Sequence, residues 1–226
     1  MKPDFDKKMC ALWGVAGEDE TELARVANDV VKNDVSKVSV VPGAVPVLWT
    51  WLEKNNKDIY ARFYLEKMAE KYSDKLSMLI QNINTAFKQG AYGAQVFMHM
   101  NQLTGFVNEM HVIRDDLFFN RDMSIGIDIM ELSTENLTTL FEGLNKINAT
   151  SLILVMTRDD GDMSDFVGRL YGVLSAWGAK CDLHFALGNN FVRMEQALRL
   201  VAAIRPQLME RMSFFVTDVM LEKVFL

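Results

Sequence analysis

Arg62, His99, Asp128 and His184 each fall near the middle or the C-terminal end of a short apolar run, and a helical pattern follows each run. An imidazole shuttles a proton near neutral pH. A carboxylate can orient that imidazole, act as a base itself or bind a metal. An arginine holds a carboxylate or phosphate in its planar fork. Together these groups suit enolisation, isomerisation, epimerisation or carbon–carbon cleavage of a small oxygenated substrate. His99, Asp128 and His184 are the catalytic candidates, and Arg62 is the candidate substrate clamp.

The elements that position them alternate along the chain. Strand runs are expected at residues 9–16, 37–41, 58–64, 94–99, 123–129, 150–156, 181–187 and 212–216. Helical patterns are expected at about 18–33, 45–55, 73–89, 101–117, 134–147, 163–177 and 191–208. The first has Leu23, Val26, Ala27, Val30 and Val31 on its apolar side. Pro42 and Gly43 stop the second strand, Gly90 and Gly178 stop helices, Ser133 is a good helix cap, and Pro206 falls in or beyond the last helical turn. Eight strand–helix alternations predict a single (β/α)8 TIM barrel with short loops, one domain over residues 1–226. An open doubly wound sheet is the main alternative, but no glycine-rich fingerprint marks its first phosphate loop.

Strand parity then aims the polar residues, because side chains alternate between the two faces. Ile125, Ile127 and Ile129 face the helices, so Ser124, Gly126 and Asp128 face the barrel interior. Leu183, Phe185 and Leu187 leave Asp182, His184 and Ala186 inside. Ile59, Ala61 and Phe63 leave Tyr60, Arg62 and Tyr64 inside. In the fourth strand the choice lies between Gln95, Phe97 and His99 inside and Ala94, Val96 and Met98 inside. Burying such groups unpaired is costly. They therefore either meet solvent and ligand at the mouth or pair in a core network, Arg62 with Asp128 or Asp182. Asp182, at the start of its strand, reads as structural.

Strand exits supply the remaining candidates. Gly188, Asn189 and Asn190 form the seventh exit, where a glycine permits close backbone approach and either asparagine can cap the following helix or bind phosphate. Thr217 stands at the eighth exit and Arg158 at the sixth, each a candidate substrate contact. The acidic loop Asp159, Asp160, Asp162 reads as a solvated turn. No cofactor is implied with certainty. A divalent metal could use His99, Asp128, Glu131 and His184, which no compact motif joins. A Schiff base needs a lysine at the mouth. Lys37 and Lys180 stand at the wrong ends of their strands, which leaves Lys67.

The chain is half apolar, about one quarter charged, and carries a net charge of -6. That composition is globular, with no global field for nucleic acid. Arg193, Arg199, Arg205 and Arg211 read as a solvated helix face. Cys10 and Cys181 lie in apolar runs and read as buried thiols. No stretch approaches the roughly 20 apolar residues of a membrane helix, and no secretory signal is evident. The expected setting is cytoplasmic, with a small-molecule substrate, no membrane and no nucleic-acid partner. A homo-oligomer is compatible with the helix faces.

This layout, with glycine-bearing exits after the later strands, resembles the small aldolase and sugar-phosphate isomerase or epimerase barrels. The resemblance implies a lyase or isomerase of a small phosphorylated or carboxylated sugar-like substrate, working by general acid–base chemistry at the C-terminal mouth. The Schiff-base lysine usual in such aldolases is absent from the sixth strand. The alternative is a noncatalytic barrel that serves as a ligand-binding or oligomeric scaffold. The first reading needs Arg62, Asp128 and a histidine around an open pocket; the second needs them paired internally.

Overall fold

Alternation of β-branched and aromatic residues with polar or small ones makes each strand two-faced, and a closed barrel ringed by helices covers both faces. A computed structural model describes residues 10–14, 19–65, 72–156, 162–188 and 190–217. Its strands are β1 (Cys10–Trp13), β2 (Lys37–Val40), β3 (Asp58–Tyr64), β4 (Gly93–Phe97), β5 (Asp122–Asp128), β6 (Ser151–Val155), β7 (Asp182–Ala186) and β8 (Met212–Val216). All pair in parallel in chain order, and β1 closes on β8. The helices among the described residues are α1 (Glu20–Lys32), α2 (Val45–Leu52), α3 (Tyr72–Lys88), α4 (Leu103–Leu117), α5 (Leu137–Lys146), α6 (Met163–Ser175) and α7 (Phe191–Ile204). The protein is a (β/α)8 TIM barrel.

The parity reading holds on β3, β5 and β7. Ile59, Ala61, Phe63, Ile125, Ile127, Leu183 and Phe185 pack in the layer between barrel and helices. The interior has its own apolar cluster of Ala11, Phe97, Ile153, Ala186 and Phe215, with Trp13, Tyr64 and Val155 against it. Trp13 meets Phe97 and Phe215 edge-on, at ring centroid distances of 5.5 and 6.0 Å. This cluster is a plug across the middle of the barrel.

Two glycines let interior aromatic rings lie across a neighbouring strand. A Cβ on Gly93 would stand 2.7 Å from the Tyr60 ring and one on Gly126 would stand 2.2 Å from the Phe97 ring. In each case the ring comes from the strand before and occupies the space a side chain would take. Gly126→Ala is therefore expected to destabilise the fold by about 3 kcal/mol, because the Phe97 ring has no free volume to enter. Gly168→Ala is the control. That glycine lies in α6 with nothing within 4 Å of its would-be Cβ, and alanine there should be neutral or stabilising by about 0.5–1 kcal/mol. Urea midpoints of the two variants check the contrast.

Several local expectations are corrected. β4 starts at Gly93 and ends at Phe97, so His99 lies beyond the strand, where a 3-10 turn (Met100–Gln102) opens into α4. Ser133 does not cap α5. The helix begins at Leu137, and Asn136 folds back to accept from the Ser133 N–H at 2.9 Å. Val31 is 43% exposed rather than part of the α1 core face. Pro206 opens a separate 3-10 segment (Pro206–Arg211) after α7. The four arginines are only in part a solvated face: Arg199 and Arg211 are exposed. Arg193 is only 2% exposed, and Arg205 donates from Nε and Nη2 to the Leu174 and Ser175 carbonyls, closing the C-terminal end of α6. Arg211 Nε donates to Asp182 Oδ1 at 2.9 Å.

Candidate active site

The C-terminal mouth holds a pocket of about 140 Å³ lined by Tyr64, Phe97, Met98, His99, Gly126, Asp128, Glu131 and Val155. β4 and β5 are neighbours, so their exits bring His99 and Glu131 together across 32 residues of chain. His99 Nδ1 and Glu131 Oε1 are 2.5 Å apart. The other carboxylate oxygen, Oε2, accepts from the Met100 N–H at 2.7 Å. Gln102 Oε1 accepts from the His99 N–H at 3.0 Å and fixes the backbone at the turn. Glu131 is thus held at both oxygens. A carboxylate at this distance accepts the Nδ1–H, and so favours the tautomer whose other ring nitrogen, Nε2, can take up a proton. Asp128 ends β5 in the same pocket, and its Oδ1 accepts from the Met130 N–H at 2.9 Å.

Arg62 sits on β3 two residues below Tyr64 and is 5% exposed. Its Nη2 donates to the Gly14 carbonyl at the exit of β1, and its guanidinium carbon lies 4.0 Å from the Trp13 ring centroid. Nε and Nη1 are buried without a hydrogen-bond partner. Among the described residues no carboxylate pairs with it, so the expected internal pairing with Asp128 or Asp182 is not formed. Burial lowers its pKa from 12.5 to about 10, with the neighbouring Tyr64 opposing the shift. A buried cation without a counter-ion is costly, and Arg62 is not among the residues lining the mouth pocket.

His184 is not brought to this mouth. It faces the interior from the N-terminal half of the barrel, where its Nδ1 shares a hydrogen bond of 2.8 Å with Ser213 Oγ. Burial, with repulsion from Lys37, pulls its pKa from 6.5 down to about 3 against a weaker backbone bond at Leu183. The unfolded chain takes up this proton near pH 6.5 and the folded chain only near pH 3. Full stability is therefore present above pH 6.5 and is lost as pH falls toward 3, by about 1.4 kcal/mol per pH unit. His184→Gln is expected to flatten urea-measured stability across that window, and a histidine proton NMR titration should show His184 neutral down to about pH 4.

The other candidates fall as follows. Gly188 ends the β7 exit in a left-handed conformation, φ 64°, with open space beside it. Asn190 caps α7, its Oδ1 accepting from the Arg193 N–H at 3.1 Å. Thr217 follows β8, half-buried. Arg158, Asn189, Lys67, Asp159 and Asp160 lie outside the described residues. Asp162 caps α6 through the Ser164 N–H. The metal set is not assembled, since His184 belongs to a different cavity. Among the described residues no three His, Cys, Asp or Glu side chains converge on one point. Cys10 and Cys181 are buried free thiols, as expected, and no helix of the described residues is long and apolar enough to cross a membrane.

Sequence reasoning did not find the role of Glu131 as the partner of His99, nor Trp13 as the platform under Arg62. The first has a signal: both residues follow the exits of consecutive strands, which a barrel makes neighbours. The second follows from parity on β1, where Ala11 and Trp13 share the inward face.

No family model and no curated protein matches the chain. Solved structures do. A protein from Toxoplasma gondii ME49, provisionally described as a deoxyribose-phosphate aldolase, matches with TM-score 0.74 at 10% identity, over 96% of this chain and 90% of that one. The tetrameric deoxyribose phosphate aldolase of Aeropyrum pernix matches with TM-score 0.73 at 11% identity, over 96% and 88%. An aldolase called QR15 matches with TM-score 0.72 at 13% identity, over 100% and 97%. The likeness to all three is one of fold.

Proposed function

We propose that this barrel is a lyase or isomerase that moves protons on a small, oxygen-rich substrate carrying a carboxylate or phosphate group. The observation that carries the reading is the His99–Glu131 pair at the C-terminal mouth, where a carboxylate held at both oxygens fixes an imidazole on the wall of a pocket. In this reading His99 Nε2 takes the proton from the carbon next to a substrate carbonyl and returns it to carbon or to a leaving oxygen. Glu131 orients the ring and offsets the charge it gains. Asp128 is the second carboxylate at hand, for the hydroxyl that is cleaved or shifted. Arg62, which lies outside the pocket's lining two residues below Tyr64, is the cation assigned to the anionic end, and Gly188, Asn190 and Thr217 border the exits where the far end of a longer substrate would extend. The fold shared with sugar-phosphate aldolases supports the substrate class. Among the described residues the mouth pocket is lined by an imidazole and two carboxylates, and proton transfer is the chemistry assigned to them.

The test is solvent exchange. The protein is incubated in D2O with a panel of pyruvate, triose phosphates, 2-deoxyribose 5-phosphate and short hydroxy-keto acids, and followed by proton NMR. Deuterium should enter at the carbon beside a carbonyl of at least one member, or that member should be cleaved or isomerised. A second reading, a noncatalytic barrel that only holds its ligand, is favoured by the size of the mouth pocket, which is below the roughly 300 Å³ usual for small-molecule sites. That reading requires a panel member to bind while exchange, cleavage and isomerisation all stay at the protein-free rate.

A further inference from the structure

The larger cavity lies at the opposite, N-terminal end of the barrel. It measures about 310 Å³, and its wall includes Lys37, Gln95, Ser124, Lys180, Asp182 and His184. A donor and acceptor count shows what it lacks. Several of the acceptors are already engaged. Asp122 Oδ2 accepts from the Tyr60 hydroxyl at 2.7 Å, Asp182 from Arg211 at 2.9 Å, Gln95 Oε1 from the Ser39 hydroxyl at 2.5 Å and Ser124 Oγ from the Ser151 hydroxyl at 2.7 Å.

Donors are left over. Gln95 is fully buried on the wall, and its Nε2 has no partner. Ser124, having accepted a bond, keeps its own hydroxyl proton. Among the described residues neither the Lys37 nor the Lys180 ammonium forms a salt bridge; Lys37 Nζ lies 5.6 Å from the centroid of the Tyr60 ring and acts on Asp58 at longer range, opposing the rise that burial gives its carboxyl. The two lining aspartates balance the two lysines in formal charge, as Arg211 beside Asp182 is balanced by Asp58 beside Lys37. The wall is thus neutral overall, and what it carries is a set of unmet N–H and O–H groups with two ammonium groups near them. Unmet buried donors are rare and costly, and a ligand rich in acceptors removes the deficit.

We propose that this cavity binds a small oxyanion, a phosphate or a short carboxylate, with Gln95 Nε2 and Lys37 as its principal contacts. The site is separate from the mouth, because the apolar plug of Trp13, Phe97, Ile153 and Phe215 lies between them. It does not depend on what the mouth does.

The test titrates the full-length protein, with ¹⁵N-labelled glutamine, against inorganic phosphate and against acetate at constant ionic strength set with chloride. The Gln95 side-chain amide signals and the melting temperature are read together. A saturable shift of the amide with a Kd of about 1–10 mM, and a matching rise in melting temperature, is expected for at least one of the two anions. Which one saturates separates phosphate from carboxylate, and either supports the site. Gln95→Met and Lys37→Met should each weaken binding by about tenfold. Lys37 stands at the rim, so its variant keeps the test decisive if the Gln95 variant does not fold. The proposal is overturned if neither anion gives a saturable shift, if chloride gives the same shift, or if the affinity is unchanged in every variant that folds.

Discussion

Asparagine in place of His99 is expected to slow proton exchange on the substrate by about 10²- to 10⁴-fold, the usual contribution of a positioned acid–base group. The same change should leave the urea midpoint nearly where it was, because the His99 side chain is 51% exposed and sits on a turn outside the barrel strands. Glu131→Gln is the sharper test. Its side-chain oxygen can still accept from Met100, so the turn is kept. Its amide group now faces His99 Nδ1 as a donor, which drives the imidazole proton to Nε2 and removes the accepting lone pair from the reacting side. A fall in kcat of about 10²-fold with KM unchanged is expected. Equal loss in kcat and KM, or loss only through unfolded protein, would show that Glu131 merely holds the turn. Steady-state rates for both variants, on whichever substrate the exchange panel selects, decide between these outcomes.

Arg62→Met should produce opposite effects on stability and on binding. The guanidinium is buried, it bonds one carbonyl, and burial depresses its pKa from 12.5 to about 10. That depression corresponds to about 3 kcal/mol by which the fold disfavours the charge. Methionine fills similar volume without charge, and it gives up the stacking of the cation on Trp13, worth about 1–2 kcal/mol. It also loses the bond to the Gly14 carbonyl, worth about 1 kcal/mol, so the balance is a variant more stable by up to about 1 kcal/mol, or roughly 3 °C in Tm for a chain of this size. Its affinity for an anionic substrate should fall at least about 100-fold, the loss of a charge-assisted bidentate contact. A destabilised variant would show that Arg62 is held by contacts of structural value. An unchanged affinity would remove it from the substrate site. Calorimetry and ligand titration on the same preparation read both.

The barrel was legible because its signals are local and repeated: a two-residue alternation in each strand, a 3.6-residue stripe in each helix, and turn residues between them. Parity placed Arg62, Asp128 and His184 inside, and they are inside. It carried no information on depth. His184 follows the start of β7 by two residues and Asp128 ends β5, so the same inward direction sends one side chain into the N-terminal cavity and the other to the mouth. His99 was read as the last residue of a strand. The strand stops two residues earlier, because Gln102 bonds back to the His99 backbone and starts the turn. That early stop is what frees the imidazole to meet Glu131. The pairing itself joins residues from separate strand exits, and no local pattern records it. Arg193 was misread for a related reason. Its type suggests solvent, whereas its place on the inner side of α7, beside Met194 and Ala197, buries it.

The plug across the barrel has a consequence for how this protein can change over time. Ala11, Phe97, Ile153, Ala186 and Phe215 form a packed floor between two chambers, and packed floors transmit little when a polar side chain above or below them is exchanged. Substitutions at His99 or Glu131 and substitutions at Gln95 or His184 share no partner, so their effects should sum. Either chamber can then drift toward a new ligand while the other keeps its own. The residues that would tie the two histories together are those of the floor itself, Phe97 and Phe215 above all, since Phe97 lines one chamber, Phe215 the other, and both belong to the one packed cluster.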